Sequence, residues 1–238
     1  MIEPCERASD DTNNRILRTC THALQLYYFN IKGKGEPVRL ACKYAGIKLE
    51  DVRMGRDEFA AMKAEGKLPF GQLPYATFHD GDDELFGTAQ MRAIMRAVGM
   101  VSLTSSAYRP LYSASIEEAT RIDAMMDFEE DLMIAMRASI FPERFGHDDY
   151  KNDSEKIRRR ERICSTVLKG KLEVLDGILA KLDGGFVAGT AEPSLADFVM
   201  VPALQSLTSG LLDGVPTTIL DSYSSIKEYL TRFEEQTA

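Results

Sequence analysis

Residues 24–47 read LQLYYFNIKGKGEPVRLACKYAGI, and the fold turns on them. The opening LQLYYFN is a short apolar and aromatic run, which predicts a buried strand. The loop Ile31-Lys32-Gly33-Lys34-Gly35 follows, and Pro37 suits the first turn of a helix, where its missing N–H has no partner to lose. That helix stops at Gly46, a C-cap glycine. A second strand over 47–54 completes a β-α-β unit, whose strands run parallel. A short helix over 58–64 precedes QLPYATFHDGDDELF, a hairpin turning at Asp80-Gly81. Thr88 then N-caps the helix AQMRAIMRAVG, with Met91, Ile94, Met95 and Val98 on one apolar face and Gly99 at its end.

Beyond residue 100 no strand pattern recurs. MVSLTSSAYRPLYSAS reads as a Ser-rich linker, and helices are expected over 116–138 and 153–182, from the cap signature Ser194-Leu195-Ala196-Asp197, and over 224–233. The fold class is therefore α/β plus all-α: an N-terminal βαβαββα domain over 24–100 and a helical domain over 113–238, preceded by a polar, poorly ordered extension over 1–23.

The 238 residues carry a net charge of −8 and a pI near 5.1, which gives no electrostatic footprint for nucleic acid and argues against anionic membrane. No run approaches the ~18 apolar residues of a spanning helix, and the N-terminus lacks a signal or transit pattern. Cys5, Cys20, Cys42 and Cys164 are scattered without zinc spacing, so reduced thiols in a cytoplasmic protein are expected. The three histidines lie far apart, so no metal site is expected.

LYYFNIKGKGEPVRLACKYAGI resembles the first strand and helix of cytosolic glutathione S-transferases of the tyrosine type, closest to the sigma class. PFGQLPYATFHDG is similar to that family's Phe-Gly-Gln-x-Pro segment, and GTAEPSLADF to its Gly-x-x-x-(Ser/Thr)-x-x-Asp capping motif. The resemblance covers residues 24–233. It implies a thioredoxin-like N-terminal domain, glutathione as co-substrate with no cofactor, a hydrophobic electrophile as second substrate, and a cytoplasmic homodimer serving detoxification. A non-catalytic binding or interaction protein, and a sigma-type prostaglandin isomerase, are the alternatives. Since the chain ends soon after Phe233, a tail helix over the electrophile pocket is expected to be missing.

By the same resemblance Tyr28 is the residue that donates a hydrogen bond to the glutathione sulfur, and Lys32 adds positive potential beside it. Pro74 is expected to be cis, with the Leu73 backbone pairing to the cysteinyl part and Gln72 holding the γ-glutamyl end. Phe59 and Lys63 match the Trp and Lys that contact the glycyl carboxylate, although Phe59 lacks the indole donor. Gly87 and Thr88 stand at the family's Gln/Glu-Ser pair; Thr88 keeps the hydroxyl, and Gly87 loses the neighbouring side chain. The alternative register, with Gln90-Met91 as the pair, is set aside because Gln90 would then fall inside the helix. Asp123, Asp127 and Asp131 form an i,i+4 acidic stripe, read either as a solvated face or, by resemblance, with Asp127 crossing a dimer interface to the glutathione α-amino group.

Overall fold

The computed structural model describes residues 22–182 and 184–238. The expected extension lies outside the described residues except for His22 and Ala23, and these already begin the first strand. Two compact units divide the chain. One holds the described residues up to Gly35 with Cys42–Pro110; the other holds Glu36–Ala41 with Leu111–Ala238.

The first unit runs β1 (His22–Phe29), α1 (Glu36–Ala45, which straddles both units), β2 (Lys48–Met54), α2 (Arg56–Ala64), β3 (Tyr75–Asp80), β4 (Asp83–Ala89) and α3 (Met91–Ser102). Its strands form one mixed sheet in the order β2-β1-β3-β4. β1 pairs parallel to β2, with Tyr28 opposite Arg53, and antiparallel to β3, with Tyr27 opposite Tyr75. Side chains alternate along a strand. Leu24, Leu26 and Tyr28 are buried accordingly, whereas Gln25, Tyr27 and Phe29 on the opposite face are half-buried. α3 packs on β3 and β4 through the expected apolar face, Met91, Ile94, Met95 and Val98.

Two boundaries differ from expectation. Gly99 does not end α3, which continues to Ser102. A mid-helix glycine costs only about 1 kcal/mol, and burial of Gly99 and Ser102 outweighs it. Thr88 is not a helix cap: it lies in β4, opposite Ala76 of β3, and the residue before α3 is Gln90. Leu85 is an extra residue in the β3–β4 ladder, whose register shifts between Phe78 and His79. Such a bulge lengthens β4 by one position and carries the strand past Thr88.

The second unit is helical: α4 (Ile116–Ile140), α5 (Asp153–Ile163), α6 (Lys169–Leu179), α7 (Leu195–Thr208) and α8 (Ser224–Thr237). The helix expected over 153–182 is α5 and α6 joined through one π-helical turn, Cys164–Leu168. α7 forms the centre, with every residue from Leu195 to Val201 buried. Its N-terminus is held by the fully buried Asp197. One carboxylate oxygen accepts from the backbone N–H and the hydroxyl of Ser194, both at 2.8 Å. The other accepts from the Val187 N–H and the Tyr229 hydroxyl, both at 2.9 Å. Burial pushes this carboxyl up, and the four donors oppose that rise.

Replacing Asp197 by Ala strands these donors inside the unit. At ~1–3 kcal/mol for each of the four unsatisfied donors, we expect a loss of at least about 4 kcal/mol, checked by urea denaturation. Asp197→Asn, which keeps one acceptor oxygen, should lose less.

Candidate functional site

The first unit gathers most of the expected site residues around the end of β1. The chain leaves β1 through a tight turn in which the Ile31 N–H donates to the Phe29 carbonyl over 2.7 Å. It then folds back in a short 3-10 turn, Gly33–Gly35, and enters α1 with Pro37 in the first turn. This return brings the loop backbone over Tyr28. The Lys34 N–H donates to the Tyr28 hydroxyl oxygen over 3.0 Å. Gly33, at φ +43°, lies so close that a β-carbon there would stand 2.6 Å from the same oxygen. The phenol thus ends a buried strand while its hydroxyl meets an exposed loop: Ile31, Lys32 and Gly33 are all solvent-facing.

The remaining residues of this unit fall into place from the neighbouring elements. Phe59 of α2 meets Phe29 edge-on, with ring centroids 5.4 Å apart. The half-buried Phe59 ring therefore sits beside the last residue of β1, next to Tyr28, whose ring lies 5.9 Å from that of Phe29. Lys63, on the same helix, lays its side chain against Gly71, with Cε 3.2 Å from where a side chain there would begin. Gln72 is exposed and Leu73 half-buried, and the Leu73–Pro74 bond is cis, as expected. Leu73 lies two residues before Tyr75, the first paired residue of β3.

Gly87 and Thr88 do not take the helix-start position expected of them. Gly87 pairs with Thr77 inside the sheet, and a β-carbon there would fall 2.0 Å from the Tyr75 hydroxyl oxygen. The glycine is required because the Tyr75 ring crosses it. The position before α3 belongs to Gln90, the only described non-glycine residue with positive φ (φ 71°, ψ 117°). Its carbonyl accepts the Ile94 N–H over 3.0 Å, and its exposed side chain makes no capping bond to the first helical turn. A left-handed glutamine is strained by roughly 1–3 kcal/mol, a signature of functional positions. The sequence holds a signal for it. The apolar face of α3 begins at Met91, so the residue before the helix is Gln90.

Asp127 belongs to the second unit and is exposed on α4. Along the same stripe, Asp123 accepts from the Tyr112 hydroxyl at 3.0 Å, and Asp131 pairs with Lys171 at 3.2 Å. Among the described residues no three His, Cys, Asp or Glu side chains are grouped to hold a metal ion. Nor is any described helix long and apolar enough to cross a membrane. The two described cysteines form no disulfide. Burial pushes the Cys42 thiol up to about 12 and raises that of Cys164, so neither is disposed to be a thiolate nucleophile.

Residues 142–238 match the family described as glutathione S-transferase, C-terminal domain. Over 211 residues the chain is 29% identical to glutathione S-transferase 1 of Ascaris suum, covering 89% of this chain and 90% of that one. The solved glutathione S-transferase of Ascaris lumbricoides superposes with a TM-score of 0.68 at 26% identity, over 90% of this chain and 92% of its own. The sigma-class enzyme of Fasciola hepatica gives a TM-score of 0.70 at 21% identity, over 90% and 95%, a likeness of fold.

The close approach of Tyr75 to Gly87 yields a test of β4. Gly87→Ala should displace the Tyr75 ring and cost about 1–3 kcal/mol, the usual penalty for overpacking. The change should register in thermal melting and in the tyrosine near-ultraviolet circular dichroism, with most of the loss recovered in Gly87→Ala/Tyr75→Ala.

Proposed function

We propose that this chain, a cytosolic glutathione S-transferase-like enzyme by its fold and its relatives, activates the glutathione thiol through Tyr28 and transfers it to small hydrophobic electrophiles. The observation that carries the reading is the Tyr28 hydroxyl, held at the end of β1 and accepting the Lys34 N–H. A phenol oxygen that accepts one hydrogen bond is a better donor for the next. The glutathione thiol, with a free pKa of about 8.5, is only ~3% thiolate at neutral pH. Lowering that pKa by two units takes roughly 2.7 kcal/mol of selective thiolate stabilisation, and one charge-assisted hydrogen bond supplies ~1.5–3 kcal/mol.

The peptide is held elsewhere. The Leu73 backbone pairs with the cysteinyl part as a one-residue strand addition. Gln72 and Gln90, with the N–H groups opening α3, receive the γ-glutamyl end, because a helix N-terminus favours a carboxylate. Gln90 takes the role that the resemblance assigns to Gly87 and Thr88. Its neighbour Met91 is buried and offers no hydroxyl, so the carboxylate relies on backbone donors. Lys32 and Lys63 supply positive charge for the sulfur and the glycyl carboxylate. Phe59 packs on Phe29 and contributes an apolar wall. The reading includes a cytoplasmic homodimer in which Asp127, exposed on α4, reaches the partner's glutathione α-amino group.

Tyr28→Phe deletes one oxygen and keeps the ring. Conjugation of an aryl halide at pH 7 should fall roughly ten- to a hundred-fold, since about 1.4 kcal/mol is one decade. The pH–rate profile should move to higher pH and glutathione half-saturation should change little. Wild-type turnover with an unmoved profile in Tyr28→Phe would assign the activation to another group.

The two registers at the start of α3 separate cleanly. Gln90→Ala should raise glutathione half-saturation about three- to ten-fold, the worth of one hydrogen bond, with turnover at saturation preserved. Thr88→Ala should be near silent. The reverse pattern, measured by steady-state kinetics, would restore Thr88 to the site.

A further inference from the structure

We infer that Gly33 is a positioning residue for the Tyr28 hydroxyl: having no side chain, it lets the loop close over the phenol and sets the direction in which the phenol donates its proton. The inference rests on the proposed role of Tyr28 but concerns another residue and fails separately. Three observations meet at one atom. Gly33 has φ +43°, in the half of backbone space that side chains avoid. A β-carbon there would stand 2.6 Å from the Tyr28 oxygen, 3.2 Å from Cε1 and 3.3 Å from Cζ. The next residue, Lys34, donates its N–H to that oxygen over 3.0 Å.

A phenol oxygen has one proton to give and lone pairs to accept with. With the Lys34 N–H on one lone pair and the Gly33 backbone against the ring edge, the hydroxyl proton is turned away from the loop. Core packing does not explain the glycine, because Gly33 and the two residues before it are exposed. Gly46 provides the contrast. It has φ +77° with nothing within 4 Å of where a β-carbon would stand, and it caps α1. Substituting Gly46 therefore imposes backbone strain without touching the phenol.

The experiment compares Gly33→Ala, Gly46→Ala, Tyr28→Phe and the double variant Gly33→Ala/Tyr28→Phe by thermal midpoint and by steady-state conjugation of an aryl halide with glutathione from pH 6 to 9. Gly33→Ala should lose about ten-fold or more in kcat at neutral pH, the scale expected when a reacting group is misplaced. Its pH–rate profile should shift upwards, while glutathione half-saturation changes less than about three-fold. Gly46→Ala should lower the thermal midpoint and leave kcat and the pH profile unchanged. In the Tyr28→Phe background the 2.6 Å contact is gone. There Gly33→Ala should add less than about a two-fold rate loss, and its melting deficit should shrink. If Gly33→Ala alone is too unstable to assay, the smaller melting deficit in the double variant supports the inference. Equal melting and rate deficits in both backgrounds, or a wild-type pH profile for Gly33→Ala, would overturn it. An unimpaired Tyr28→Phe enzyme would instead overturn the role of Tyr28 and leave the steric coupling standing.

Discussion

The backbone N–H of Lys34 donates to the hydroxyl of Tyr28 over 3.0 Å, and the first unit is arranged so that this bond can form. Strand alternation puts Tyr28 on the same face as Leu24 and Leu26, so its ring is fixed by burial while only its hydroxyl reaches the strand end. β1 lies between β2 and β3, and that internal place denies it the freedom of an edge strand. The chain must then reverse within a few residues, and the turn at Ile31 followed by the 3-10 turn at Gly33–Gly35 accomplishes this. A neutral hydrogen bond of this kind contributes only about 0.5–1.5 kcal/mol net. Its importance is one of direction rather than stability, because an oxygen whose lone pair is already engaged has its proton aimed elsewhere.

Much of this is legible in the residues. The apolar and aromatic run LQLYYFN, Pro37 at the start of α1 and Gly46 at its end, and the Ser194–Asp197 cap are local signals, each with one physical meaning. The structure carries all of them. What the residues conceal is non-local. Whether Thr88 caps a helix or finishes a strand depends on where β3 begins and on the extra residue Leu85, and neither is written near Thr88. Glycine at 99 reads as a helix end on propensity alone, and only the burial that carries α3 on to Ser102 overrides it. The π-helical turn at Cys164–Leu168 has no sequence signature of its own, since nothing in CSTVL sets it apart from the helical residues on either side.

The Gly87 departure is explained by the same hairpin. Tyr75 opens β3 and sends its ring across β4, and only a residue without a side chain accommodates it there. A glycine that reads as a missing ligand is a packing requirement, and Gln90, three residues later, is the residue proposed in its place. The strain at Gln90 supports that reassignment. α3 is entered through a left-handed glutamine whose side chain makes no capping bond, so the strain there is not offset by a bond to the helix.

Two substitutions shift the balance of the proposed site from side-chain donors towards backbone ones. Phe59 spends its ring on Phe29 and has no N–H to offer, and Met91 spends its side chain on the core of α3. In the proposed site both are assigned to the ends of the peptide rather than to the sulfur. Interactions remote from the reacting atom that are equal in ground and transition states set half-saturation and leave turnover alone. In the proposed site, then, the departures fall on groups assigned to the ends of glutathione, while the Tyr28 hydroxyl keeps its bond from the Lys34 N–H. Catalytic power and cosubstrate affinity are separable in such a site because they rest on different atoms. On the proposed reading, the loop over Tyr28 sets the first, and the entrance of α3 with the face of α2 sets the second.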